Sequence, residues 1–207
     1  LARYANPAAR IITGYPTEEL VQMHFWEIAH PAYQEMEYIA FEQLQFHAMT
    51  HRPGAMGYPG TLSPVTKYVF QYLFVQSEFG QMCPISVTDT SIHLIRKFGS
   101  EELKARLLPR MLADKLEDLW KGTQFMTEKA GGSDVGQVET TARLIDGQWH
   151  LFGEKWFSSH VDADVALILA SLGWNGPHIA AARRRRQRKR PPLSPRRSRR
   201  SGGGRRA

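Results

Sequence analysis

The hydrophobic period of this 207-residue chain changes at Gly122, and that change limits the fold more than any other feature. Before Gly122, apolar residues recur at three- and four-residue steps, the spacing of helices with one buried face. After it they alternate or gather in short β-branched runs bounded by turn residues, the spacing of strands. Helices first and strands second predict an α+β chain. Its expected parts are an irregular segment over 1–29, a helical block over 30–121, an incomplete antiparallel β domain over 122–171, and a disordered tail over 172–207.

Within the block, Tyr33 to Met49 contains neither Gly nor Pro. Tyr33, Met36, Ala40, Phe41, Leu44 and Ala48 share one face, so a single helix is expected. The Gly- and Pro-rich stretch His51–Gly60 reads as a loop. Ser63-Pro64 should open a long helix through Tyr68, Tyr72, Val75 and Phe79, with Gly80 at its end. Thr88-Asp89-Thr90 should open another that stops at Gly99. Ser100 caps a fourth, with Glu101 and Glu102 at the positive end of its dipole, and Pro109 should end or kink it. In the β part, Val138–Ile145 and Gln148–Phe152 flank Asp146-Gly147, a strong tight-turn signal. Asp164–Ala170 reads as a buried strand.

Charge narrows the classes further. The net +7 belongs to the tail, because residues 183–207 hold 13 of the 27 Lys and Arg and no acid. Residues 1–182 keep 14 basic against 20 acidic side chains, so overall charge argues for no nucleic-acid partner. The tail's Arg, Pro, Ser and Gly runs cannot bury apolar area to offset chain ordering. Either they bind phosphate backbones, or they are the out-of-frame end of a GC-rich gene. Acidic residues and strand pattern vanish together there, which favours the second reading. The missing initiator Met suggests a chain that starts mid-gene. No apolar run reaches the ~20 residues of a bilayer span. One cysteine excludes an internal disulfide and suits a reducing, cytoplasmic setting; Cys83, beside Met82 and Pro84, reads as a buried small hydrophobe.

Two stretches carry chemistry. Gln124-Phe125-Met126-Thr127-Glu128 runs into Gly131-Gly132-Ser133-Asp134, and Gly153-Glu154-Lys155-Trp156-Phe157-Ser158-Ser159 comes after the hairpin. A strand, a glycine turn beside hydroxyls, and a second strand ending in hydroxyls would suit a phosphate-bearing cofactor with a flat ring. Taken singly, the Gly-Gly-Ser-Asp turn is explained by a side-chain bond to its own backbone, and Trp149, Trp156 and Phe157 by burial in a core. Asp162 and Asp164 read as solvated. His24, His30, His47 and His51 are scattered, no zinc spacing is present, and no metal is expected.

Taken in order, the two stretches resemble the flavin-binding signatures of the acyl-CoA dehydrogenases. Asp164–Ala170 is similar to the strand that comes after them in that family. His47–Gly54 and Met82–Asp89 look like the subgroup that contains the adaptive-response alkylation flavoprotein. The resemblance covers residues 30–170 and implies that family's N-terminal helical and middle β domains, with FAD as cofactor. It also implies an acyl-CoA substrate, electron-transfer flavoprotein as redox partner, and a homo-oligomeric parent. Gln124, Phe125 and Met126 would line the isoalloxazine with backbone amides, and Thr127 would hydrogen-bond it. Ser133 would sit at the flavin phosphate, Phe157 beside the ring and Ser159 near N5; Gly132 and Ser158 belong to the same two stretches. The family removes an α-proton with a carboxylate base while flavin N5 takes hydride from the β-carbon. That base lies in a C-terminal domain outside this chain, and Glu128 has a structural position instead. No catalytic residue is therefore expected here, and the chain should be inactive. Separately, Tyr4–Arg10, Thr13–Leu20 and Phe25–Pro31 resemble part of a PAS sensory domain.

Overall fold

Ser63 and Ser100 start helices as their sequences predict. In the computed structural model, which describes residues 16–20, 31–130, 132–172 and 177–183, Ser63 Oγ accepts the Thr66 N–H at 3.1 Å. Ser100 Oγ accepts the Leu103 N–H at 3.2 Å. Of the PAS-like segment, only 16–20 is described, with a short helix α1 (Thr17–Leu20). The Arg-rich stretch from 184 lies outside the described residues.

Helix α2 (Pro31–Tyr38) widens into a π turn over Ile39–Gln43. There the Leu44 N–H reaches Ile39 O at 2.8 Å, and Gln45 takes the left-handed region just beyond. The single helix expected through Met49 therefore stops at Gln43. The reversal packs Phe46 and Met49 against Phe41, all buried, and that packing outweighs a continued ladder that no Gly or Pro would have broken.

Helix α3 (Pro64–Val75) ends four residues before the expected Phe79, and Tyr68, Tyr72 and Phe79 are exposed. Helix α4 (Met82–Phe98) begins six residues before the expected Thr88. Pro84 falls in its first turn, where no N–H donor is needed. Cys83 is exposed, which corrects the expectation of burial: it falls on the solvent side of that turn. Helix α5 (Glu101–Met111) runs two residues past Pro109, which occupies its last turn.

The β part is β1 (Gly122–Phe125), β2 (Thr141–Ile145), β3 (Gln148–Phe152), β4 (Val165–Ser171) and β5 (Pro177–Arg183). Asp146 and Gly147 both take positive φ, as a type I′ hairpin turn requires, and β2 and β3 pair antiparallel around them. Strand β5 pairs antiparallel with all of β4. It lies within the segment expected to be disordered, where the short apolar run Ile179–Ala182 precedes the arginines. Strand β1 pairs parallel with β4, and β2 meets β4 parallel at Thr141 and Ser171 alone. The sheet is therefore mixed: both antiparallel pairings involve neighbours in sequence, and both parallel ones are long-range.

One apolar cluster unites Phe41, Phe46, Met49, Ile85, Leu116 and Leu119 inside the helical layer. A second unites Ile92, Ile95, Leu107 and Met111 with Val165 and Leu167, so the sheet shares a core with α4 and α5. Contact between α4 and β1 is close: a Cβ on Gly122 would lie 2.7 Å from Ser91 Cβ. Thr88 Oγ1 accepts the Gly122 N–H at 3.1 Å. The buried Lys121 pairs with the buried Glu37, joining α2 to the start of β1. Deeper in the helices, Asp89 accepts Lys67 Nζ at 2.6 Å and His51 Nε2 at 3.0 Å, all three buried. Burial opposes charge on Asp89, but these partners outweigh it and hold the carboxyl below its ordinary value.

Candidate functional site

Beyond β1 the chain leaves the sheet as Met126-Thr127-Glu128, and a single buried carboxylate gathers the neighbouring segments around itself. Glu128 Oε1 accepts Thr140 Oγ1 at 2.5 Å and the Thr140 N–H at 3.1 Å. Its Oε2 accepts the Glu139 N–H at 2.5 Å, and Lys155 Nζ pairs with Oε1. Burial alone would raise this carboxyl. The Lys155 ammonium, the Thr140 hydroxyl and the two backbone donors prevail and lower it to about 2.

This clamp brings the two sequence stretches together. Lys155 Nζ also donates to Met126 O at 3.4 Å, and the Trp156 N–H donates to Thr127 O at 2.9 Å. Thr123 Oγ1 donates to Ser159 O at 2.7 Å, and Ser158 Oγ to Lys155 O at 3.4 Å. Gln124 reaches sideways, its Nε2 donating to Thr90 Oγ1 on α4 at 2.6 Å. Phe125, Met126 and Thr127 are half-buried along this edge. Phe157 takes a left-handed φ of 54° and is 83% exposed; Trp149 and Trp156 are exposed as well. Reading these three rings as core is thereby corrected. Trp149 lies on the mostly exposed strand β3, and the Glu128 clamp fixes the 155–159 loop without covering it.

Gly132 and Ser133 stand apart. Both are exposed, and a Cβ on Gly132 would meet nothing within 4 Å. Asp134 Oδ1 accepts the Gly136 N–H at 3.1 Å, so the segment is the side-chain-bonded turn that its composition also allowed. Gly131 lies outside the described residues. Asp164, expected at a solvated edge, is buried and accepts the Lys121 N–H at 3.0 Å, because β4 starts inside the shared core. Thr140 and the partnership of Lys155 with Glu128 escaped sequence reasoning. Their one signal was an acid and a lysine in two motifs that a hairpin brings back together.

A helical layer sharing a core with a mixed sheet, two clamped loops at the sheet's edge, is the architecture of an acyl-CoA dehydrogenase's N-terminal and middle domains. Residues 123–187 match the family model described as acyl-CoA dehydrogenase, middle domain. The match runs on through β5. Acyl-CoA dehydrogenase family member 11 of Caenorhabditis elegans is 36% identical over 127 residues, 57% of this chain and 21% of the relative. The putative acyl-CoA dehydrogenase AidB of Escherichia coli strain K12 is 37% identical over 108 residues, 47% of this chain and 20% of AidB. The crystal structure of Caenorhabditis elegans ACDH-11 in complex with C11-CoA has a TM-score of 0.52 and 29% identity, over 69% of this chain and 27% of that one. The chain thus spans about a fifth of the length of these curated relatives.

Proposed function

We propose that the clamped loops form one wall of a FAD site, within a flavoprotein that desaturates acyl-CoA thioesters between the α and β carbons. The observation that carries this reading is the Glu128–Lys155 clamp, which sets Met126-Thr127 beside Trp156–Ser159. The wall fits a flat acceptor-bearing ring. Among the described residues, no acceptor serves the N–H groups of Met126 or Thr127, and the Phe157 ring is exposed. Gln124, Phe125, Met126, Thr127, Phe157, Ser158 and Ser159 would hold the ring, with Gly132 and Ser133 on the turn beyond. Bound there, the flavin supplies the hydride acceptor.

The acyl-CoA part of the proposal draws on kinship, including the relative crystallised with C11-CoA. Electron-transfer flavoprotein as redox partner and a homo-oligomeric whole protein are proposed on the same footing. Glu128 is not the base for the α-proton. Four donors occupy it, and a carboxylate held at about 2 is a weak base. The chain taken alone is therefore proposed to bind flavin without turning over acyl-CoA.

Titrating FAD into the purified chain tests the wall. The isoalloxazine fluorescence should quench saturably, and Phe157→Ala should weaken binding by about fivefold through the lost ring contact. If the fluorescence stays that of free FAD throughout the titration, or if Phe157→Ala binds as tightly as the parent, the proposed wall is wrong.

A further inference from the structure

A second concavity opens between the turn at Thr50-His51, the first turn of α3 and the last turns of α4. Its volume is about 360 Å³, and Thr50, His51, Pro64, His93, Arg96 and Lys97 line it. None of these belongs to the flavin wall. Four of the six carry basic side chains and none is a carboxylate, on a body whose first 182 residues are acidic on balance.

Two members are fixed in place. His51 is buried, and its Nε2 lies 3.0 Å from Asp89 Oδ1. A carboxylate only accepts, so Nε2 carries a hydrogen, and this bond fixes the ring at the edge of the cleft. Arg96 Nη1 donates to the His51 carbonyl at 2.6 Å, which anchors the guanidinium beside the cleft with further donors to offer. His93, Arg96 and Lys97, at helical steps of three and four, share one face of α4. The first turn of α3 brings the positive end of its dipole to the rim. The last turn of α4 brings about half a negative charge, which Arg96 and Lys97 exceed together.

We propose that this cleft binds a small molecule through a diphosphate group. A planar Arg fork pairs with two phosphate oxygens at once, Lys97 supplies a second positive charge, and the cleft has room for two linked phosphates. None of its lining residues belongs to the flavin wall or to the Arg-rich tail.

Calorimetric titration of the full chain with inorganic pyrophosphate tests it, with sulfate as comparator. Saturable one-to-one binding is expected, weakened about tenfold in His93→Gln/Lys97→Gln, a change of two exposed side chains that leaves the fold intact. Arg183→Gln/Arg184→Gln/Arg185→Gln and Phe157→Ala should each bind as the parent does. Unchanged affinity in the His93/Lys97 variant would overturn the proposal. So would loss of binding in the tail variant, or sulfate binding as tightly as pyrophosphate.

Discussion

Replacing Glu128 by Gln keeps the shape of the clamp and removes its charge, leaving the Lys155 ammonium, 8% exposed, without its carboxylate. The fall of the carboxyl from 4.5 to about 2 corresponds to about 3 kcal/mol of stability. The clamp lies next to exposed Lys129 and Glu139, and solvent screening at that rim reduces the expected loss to about 2 kcal/mol. The sign is that of a depressed carboxyl. Its stabilisation is complete above the unfolded value near 4.5 and drains away as pH falls towards 2. Urea unfolding monitored by tryptophan fluorescence suits the measurement, since Trp156 adjoins Lys155 and Trp149 lies on β3 of the hairpin that Glu128 tethers. At pH 7 Glu128→Gln should unfold about 2 kcal/mol more readily, and at pH 2.5 the gap should shrink to well under ~1 kcal/mol, because the unfolded chain is by then protonated at this position and the folded carboxyl is close to it. Equal stability at pH 7, or a gap undiminished at pH 2.5, would refute the reasoning.

Two further substitutions probe the joints of the fold. Asp89→Asn leaves Lys67 buried without its counter-charge and should cost about 3–5 kcal/mol, seen as a fall of many degrees in Tm by circular dichroism; an unchanged Tm would contradict the buried ion cluster. Gly122→Ala puts a methyl group 2.7 Å from Ser91 Cβ and 3.0 Å from Met111 Cε, between helix and strand. A loss of about 1–3 kcal/mol in the same urea assay is expected, and a neutral result would mean that α4 and β1 are less tightly apposed.

Features set by nearby residues were legible. Ser63, Ser100 and Asp146-Gly147 did what their chemistry dictates within a few residues, and the hairpin formed around its turn. Features set by distant partners were not. Nothing between Tyr33 and Met49 breaks a helix, yet burial of Phe46 and Met49 against Phe41 stops one. Thr88 and Asp89 resemble a helix start, and their polarity instead serves Gly122, Lys67 and His51 across the core. Paired motifs announced the candidate wall, but its exposed rings were hidden, because an aromatic at strand spacing looks the same whether it fills a core or faces solvent.

Among the described residues, the β2–β3 hairpin pairs with the rest of the sheet at Thr141 and Ser171, where the Ser171 N–H also donates to Thr140 O, and Glu128 tethers its base. It therefore behaves as a flap on a short seam. Opening the Glu128 latch would loosen the base of the hairpin, while the Trp156–Thr127 and Thr123–Ser159 bonds still hold the 155–159 loop and the two apolar clusters stay closed. A molecule that bridges Thr127 and Phe157 would hold the flap shut, so its affinity includes the work of closing and its residence time reflects how often the latch slips.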